Sequence, residues 1–109
     1  MNKFIIFFIC FLSITSTCYA DLLNEANSVS IFIQASGVTD CKEANMRLYW
    51  FFRTAGYKPL IQYGKKKTPL GFKGHVWIEL DGKVYDATDP AFNGTEANNS
   101  FYIVDKNLK

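Results

Sequence analysis

Gly74-His75-Val76-Trp77-Ile78-Glu79-Leu80-Asp81-Gly82-Lys83-Val84-Tyr85-Asp86-Ala87-Thr88-Asp89 decides the reading of this chain. Apolar and polar residues alternate on both sides of Asp81-Gly82, the dipeptide that best tolerates the positive φ angles of a type I′ turn, so the stretch reads as a β-hairpin. A two-residue turn sets Leu80 opposite Lys83, Ile78 opposite Tyr85, Trp77 opposite Asp86 and His75 opposite Thr88. Side chains alternate between faces, so His75, Trp77, Asp86 and Thr88 share one face and Asp86 is a diagonal neighbour of His75. A three-residue loop over 81–83 would instead slip the return strand by one, turn Asp86 to the other face and bring Asp89 opposite His75. Asp-Gly favours the first register, and Pro90 suggests that the strand is ending by Asp89.

Upstream of the hairpin lies a helix that carries a cysteine. Asp40 or Thr39 is a good N-cap, and Glu43 three residues beyond Asp40 makes a capping box for a helix beginning at Cys41 or Lys42. Ala44, Leu48, Phe51, Phe52 and Ala55 mark its buried side, and Gly56 stops it. Cys41 therefore falls in the first turn, where free backbone N–H groups and the positive end of the helix dipole favour a thiolate. Asp40 next to it works against that, so activating the sulfur requires a histidine.

Farther out, Leu22, Leu23, Ala26, Val29 and Ile33 recur at helical spacing over 21–35, although 29–33 also fits a short strand. Tyr57–Tyr63 reads as a strand in which Pro59 suggests a start or an edge. The run 64–74, rich in glycine and lysine, reads as a solvated loop; the sharper reading is a loop beside the site that attracts an acidic substrate. Residues 90–100 are polar and loop-like, and 101–104 form a last strand. Asn93-Gly94-Thr95 and Asn98-Asn99-Ser100 fit the glycosylation acceptor pattern.

The first 20 residues have a positive head at Lys3, an apolar stretch from Phe4 to Leu12 and a small-residue exit at Ala20. This is the layout of a secretory signal peptide cut between Ala20 and Asp21, too short in its apolar part for a comfortable membrane span. The expected destination is the cell exterior or a periplasm, with no membrane partner once the leader is gone. Removing 20 of the 109 residues leaves 89, one small domain. It also removes Cys10 and Cys18, so Cys41 is the only thiol of the mature chain and has no partner for an internal disulfide. Net charge is +2 for the whole chain and about +1 without Lys3, which gives no electrostatic reason to expect nucleic acid. No internal repeat, phosphate-cradling glycine loop or metal-ligand spacing of Cys and His is present, so no cofactor or metal is implied.

A cysteine at a helix start, the chain's single histidine at a strand start and an aspartate on the neighbouring strand have a clear chemical use. The histidine takes the thiol proton, the aspartate holds the imidazole in one tautomer, and the thiolate attacks a carbonyl. At this point the chain resembles the transglutaminase-like superfamily of papain-fold cysteine enzymes. The resemblance runs from Asp40 to about Pro90. It rests on Asp40-Cys41-Lys42-Glu43-Ala44 as the nucleophile segment, Arg53-Thr54-Ala55-Gly56-Tyr57 as the helix-ending turn, and His75-Val76-Trp77-Ile78-Glu79 as a His-x-Trp-x-Glu strand. Tyr85-Asp86-Ala87-Thr88 is similar to the closing Asp-Pro-Thr, with Ala87 in place of proline; Asp89-Pro90 is the alternative match, with Ala91 in place of threonine.

The resemblance implies an α+β fold in which a nucleophile-bearing helix packs on an antiparallel sheet, the papain-like or transglutaminase-like core. It further implies Cys41 as nucleophile, His75 as general base and acid, and Asp86, with Asp89 as second choice, as the orienting carboxylate. Trp77 would pack under the hairpin, and the backbone N–H of Cys41 would contribute to an oxyanion hole. The implied reaction is acyl transfer from an amide or peptide bond of a protein or peptide substrate: proteolysis, deamidation or cross-linking. The chain is short for this superfamily, with little ahead of Cys41 and no calcium-site pattern. Two other readings stand beside it. A secreted binding module would keep the fold without the chemistry. An NlpC/P60-like peptidase would usually have a small residue after the nucleophile, a longer interval than the 34 positions from Cys41 to His75, and glycine at the place of Trp77.

Overall fold

Two helices and a four-stranded antiparallel sheet make up the computed structural model, which describes residues 18–105. The expected leader falls largely on residues 1–17, outside the described residues. Helix α1 spans Cys18–Ala35 and runs across the expected cut after Ala20. Leu22, Ala26, Ser30 and Ile33 are its buried positions, spaced by three and four, so the helical reading of 29–33 prevails over the strand. Ser30 is buried because its hydroxyl donates to the Ala26 carbonyl one turn back (2.8 Å), which satisfies it inside the helix.

Helix α2 spans Cys41–Thr54. Asp40 is its N-cap and accepts from the Lys42 N–H at 3.0 Å. The reciprocal half of the capping box is replaced: Glu43 pairs with Arg47 one turn on, at 3.2 Å. At the other end Gly56 has φ +95°, and its N–H and that of Tyr57 donate to the carbonyls of Arg53 and Phe52. This is a Schellman close, with Tyr57 packed edge-on against Phe52. Ala44, Leu48 and Phe52 are fully buried, and Leu48 and Phe52 each contribute about 1.5–3 kcal/mol of burial. Ala55 is exposed, and Asn45 takes the buried position that an apolar pattern does not predict.

The sheet corrects the reading of 57–74. Strand β1 is Leu60–Thr68 and strand β2 is Gly71–Leu80, paired in register from Leu60↔Glu79 to Thr68↔Gly71. The lysine run is therefore strand, not loop. The chain reverses at Pro69-Leu70, where Thr68 Oγ1 accepts from the Leu70 N–H and donates to the Gly71 carbonyl, and Gly71 takes φ +103°. Alternation then sends Lys65 and Lys67 to solvent and Lys66 inward.

The expected hairpin turn is present. Asp81 (φ 52°) and Gly82 (φ 74°) are both left-handed, as a type I′ turn requires, and Ile78↔Tyr85 and Leu80↔Lys83 pair as expected. Strand β3 is only Lys83–Tyr85, so Trp77–Asp86 and His75–Thr88 are not ladder pairs. A short 3₁₀ helix follows at Pro90–Phe92, and β4, Tyr102–Val104, pairs with β1 to give the order β3-β2-β1-β4.

Each face of the sheet has its own apolar cluster. Ile78, Leu80 and Tyr85 pack against both helices. Trp77, Val84 and Tyr102 pack on the opposite face with Phe92, Ala97 and Val104.

Candidate active site

Because β3 ends at Tyr85, the edge of β2 beyond Ile78 has no strand partner. The first turns of α2 and the segment Asp86–Thr88 occupy that edge. Asn45 on α2 donates to the carbonyls of Val76 (2.9 Å) and Cys41 (3.0 Å) and approaches Asp86 Oδ1 (3.2 Å), while its own Oδ1 accepts from the Ala87 N–H at 2.8 Å. An amide NH₂ has two hydrogens, so three acceptors share them. One buried side chain thus ties the turn that carries Cys41 to the strand after His75 and to the segment of Asp86.

Asp86 is completely buried and lies within hydrogen-bond distance of five donor groups. Oδ1 accepts from Asn45, the Thr88 N–H (3.0 Å) and the Thr88 hydroxyl (2.7 Å). Oδ2 accepts from His75 Nε2 (2.7 Å) and the Tyr102 hydroxyl (2.8 Å). Burial acts to raise the carboxyl; the hydrogen bond and charge of His75, with the Thr88 and Asn45 contacts, outweigh it and hold Asp86 well below the usual carboxylate range. Burial drives the Tyr102 phenol the other way, far above its ordinary value, and the charge and hydrogen bond of Asp86 add to that. Tyr102 is thus a fixed donor to an ionised carboxylate.

That carboxylate sets the tautomer of His75. An ionised Asp86 accepts, so Nε2 carries hydrogen and Nδ1 of the neutral ring has the lone pair. The ring is held flat against Trp77, 6.3 Å between centroids and 17° between planes, with Tyr102 also at 6.3 Å. The segment behind Asp86 is equally fixed: its N–H donates to Asn93 Oδ1 (2.6 Å), Asn93 Nδ2 donates to Asn27 Oδ1 on α1 (2.8 Å), and Gln34 donates to the Ala87 carbonyl (3.1 Å). With both ends of its amide engaged and its side chain buried, Asn93 is not an accessible glycosylation acceptor in the folded chain; Asn98 is exposed.

The structure brings His75 and Asp86 together. It does not bring Asp89 to His75, because the two-residue turn holds and Asp89 forms an ion pair with Lys66. Lys66 Nζ is also 4.0 Å from Asp86 Oδ2. Cys41 is the first residue of α2, half-buried, with its carbonyl linked to Asp86 through Asn45. No hydrogen bond joins its sulfur to His75 among the described residues. A cavity of about 490 Å³ opens on the outer face of the sheet, lined by Trp77, Tyr102, Glu79, Glu96, Asn98 and Asn99 among others. It abuts the two rings that hold His75 and does not include Cys41, His75 or Asp86. Among the described residues no group of three or more His, Cys, Asp or Glu is placed to hold a metal ion, and no helix is long and apolar enough to cross a membrane.

Sequence reasoning missed Asn45, Tyr102 and Lys66. Asn45 had a signal, a polar residue one turn after Cys41 on an otherwise apolar helix face. Tyr102 had none, since a tyrosine in a short strand is ordinary core. No family model, curated protein or solved structure matches the chain.

Proposed function

We propose that this is an exported cysteine enzyme with a papain-like, transglutaminase-like core, acting on amide or peptide bonds of a protein or peptide substrate by acyl transfer. One observation carries the reading: the single histidine is hydrogen-bonded at Nε2 to a buried, ionised aspartate, and Asn45 ties the same aspartate to the helix turn of the mature chain's only cysteine. In the reaction, Nδ1 takes the Cys41 proton and the sulfur adds to the carbonyl carbon. Asp86 stabilises the imidazolium that results. The Cys41 N–H, in a first helical turn and without an intrahelical acceptor, faces the developing oxyanion. The tetrahedral intermediate expels the amine, which takes the proton from His75 and leaves a thioester on Cys41. Water or a second amine then attacks the thioester, returning its proton through His75. The sulfur-to-imidazole contact that this sequence needs is absent from the resting chain, where His75 packs with Trp77 and Tyr102, and forms only as substrate binds.

That missing bond is also what favours the second reading, a secreted binding module. Iodoacetamide separates the two. A thiol without help is only a few per cent thiolate near pH 7, so an activated Cys41 should be labelled faster, and His75→Ala should slow labelling about tenfold or more. Labelling at Cys41, read by peptide mass, that is slow and indifferent to His75 rejects the enzyme. Incubation with peptides and with glutamine–amine pairs, wild type against Cys41→Ala, then distinguishes fragments, released ammonia and cross-linked adducts.

A further inference from the structure

We propose that Lys66 and Asp89 are positioning residues that set the charge on the His75–Asp86 pair. Lys66 and the imidazole both approach Asp86 Oδ2, and Asp89 pairs with Lys66. The middle lysine of the run differs from its neighbours. Lys65 and Lys67 are exposed, while the side chain of Lys66 is 11% exposed, ion-paired to Asp89 and 4.0 Å from Asp86 Oδ2. Its ammonium also lies over the rings of Phe92 (5.1 Å) and Tyr102 (5.5 Å). A lysine gives up most of its water only where fixed charges and π-faces replace it. Those replacements come from the 86–89 segment, the 3₁₀ helix and β4, and Thr88 of the first and Tyr102 of the last also bond Asp86.

The charges balance in one protonation state. With neutral His75 the cluster of Asp86, Asp89 and Lys66 carries −1, and with His75 protonated it carries zero. Lys66 therefore offsets the pull of the two carboxylates on the imidazole proton, and Asp89 offsets Lys66. The titratable groups on the neighbouring elements are placed differently. Tyr102 on β4 is a neutral donor to Asp86, Lys73 two residues earlier on β2 is exposed, Cys41 lies one turn before Asn45 on α2, and the backbone of Asp105 after β4 lies beside Gly64, the residue opposite His75.

This concerns the same site as the proposed enzyme, but its test needs no turnover. His75 is the chain's only histidine, so one imidazole resonance reports it by NMR titration. K66M removes the positive charge 4.0 Å from Asp86 Oδ2 and should move the imidazole midpoint up by about one pH unit, a tenfold gain in proton affinity. D89N leaves Lys66 to Asp86 alone and should move the midpoint down by a similar amount. K66M/D89N restores the charge count and should return to within about 0.3 units of wild type. A merely structural role would lower the melting temperature without opposite shifts. Midpoints of K66M and D89N that move the same way, or stay within about 0.2 units of wild type, overturn the proposal. Should K66M fail to fold, the sign of the D89N shift decides. Opposite shifts in a chain without Cys41-dependent chemistry would leave this inference standing and remove the enzyme.

Discussion

Replacing Asn45 by alanine tests the joint between the helix of Cys41 and the strand of His75. The Cys41 carbonyl remains satisfied after truncation, because the backbone N–H four residues on is its helical donor. Asp86 Oδ1 keeps both Thr88 donors. Two buried groups lose the partner Asn45 gave them: the Val76 carbonyl and the Ala87 N–H. An orphaned buried polar group costs about 1–3 kcal/mol, so N45A, which leaves two, should destabilise the chain by about 2–6 kcal/mol. Against a total of about 5–15 kcal/mol for an ordinary domain, that is a large share. Urea unfolding followed by fluorescence of Trp50 and Trp77 measures it, and with a slope of about 1–3 kcal/mol per molar the midpoint should fall by at least about 0.7 M. N45D should be worse than N45A near neutral pH, since it sets a second carboxylate against Asp86. A midpoint for N45A within about 0.3 M of wild type would refute the bridge, and N45D as stable as wild type would refute the electrostatic part of it.

Asp86 binds its proton at a lower pH folded than unfolded, so its ion contributes stability above the ordinary carboxylate value near 4 and loses it as pH falls toward the folded value. D86N should cost about 3 kcal/mol at pH 7, with wild-type and variant stabilities converging in acid, as urea unfolding from pH 7 to pH 2 will show. At Gly64 a Cβ would run into the Ile103 carbonyl and the Asp105 N–H, backbone on both counts. Gly64→Ala should therefore loosen β4 from β1, costing about 2 kcal/mol or a melting temperature about 10 °C lower by circular dichroism.

What the sequence discloses here is what depends on neighbours along the chain. The Asp81-Gly82 turn fixes the hairpin register, and with it the choice of Asp86 over Asp89, because turn chemistry is local. The cap at Asp40 and the stop at Gly56 bound α2 for the same reason. The stretch 64–74 misleads because three lysines between glycines and a proline look like loop, whereas pairing on both sides of β1 makes them strand. Tertiary pairing overrides local propensity there. Asn45, Lys66 and Tyr102 matter only through residues far off in sequence, 41 positions from Asn45 to Asp86 and 16 from Tyr102 to Asp86. No local pattern encodes such a meeting.

Helix α2, strand β2 and the closing strand β4 each reach this one carboxylate directly, and α1 reaches the backbone of the same residue through Asn93. Its service to the architecture is separable from any service to a nucleophile. A chain stripped of its sulfur would still be weakened by losing the acid. The imidazole–carboxylate couple is thus a mark of the scaffold, and only a reactive Cys41 would mark the proposed chemistry.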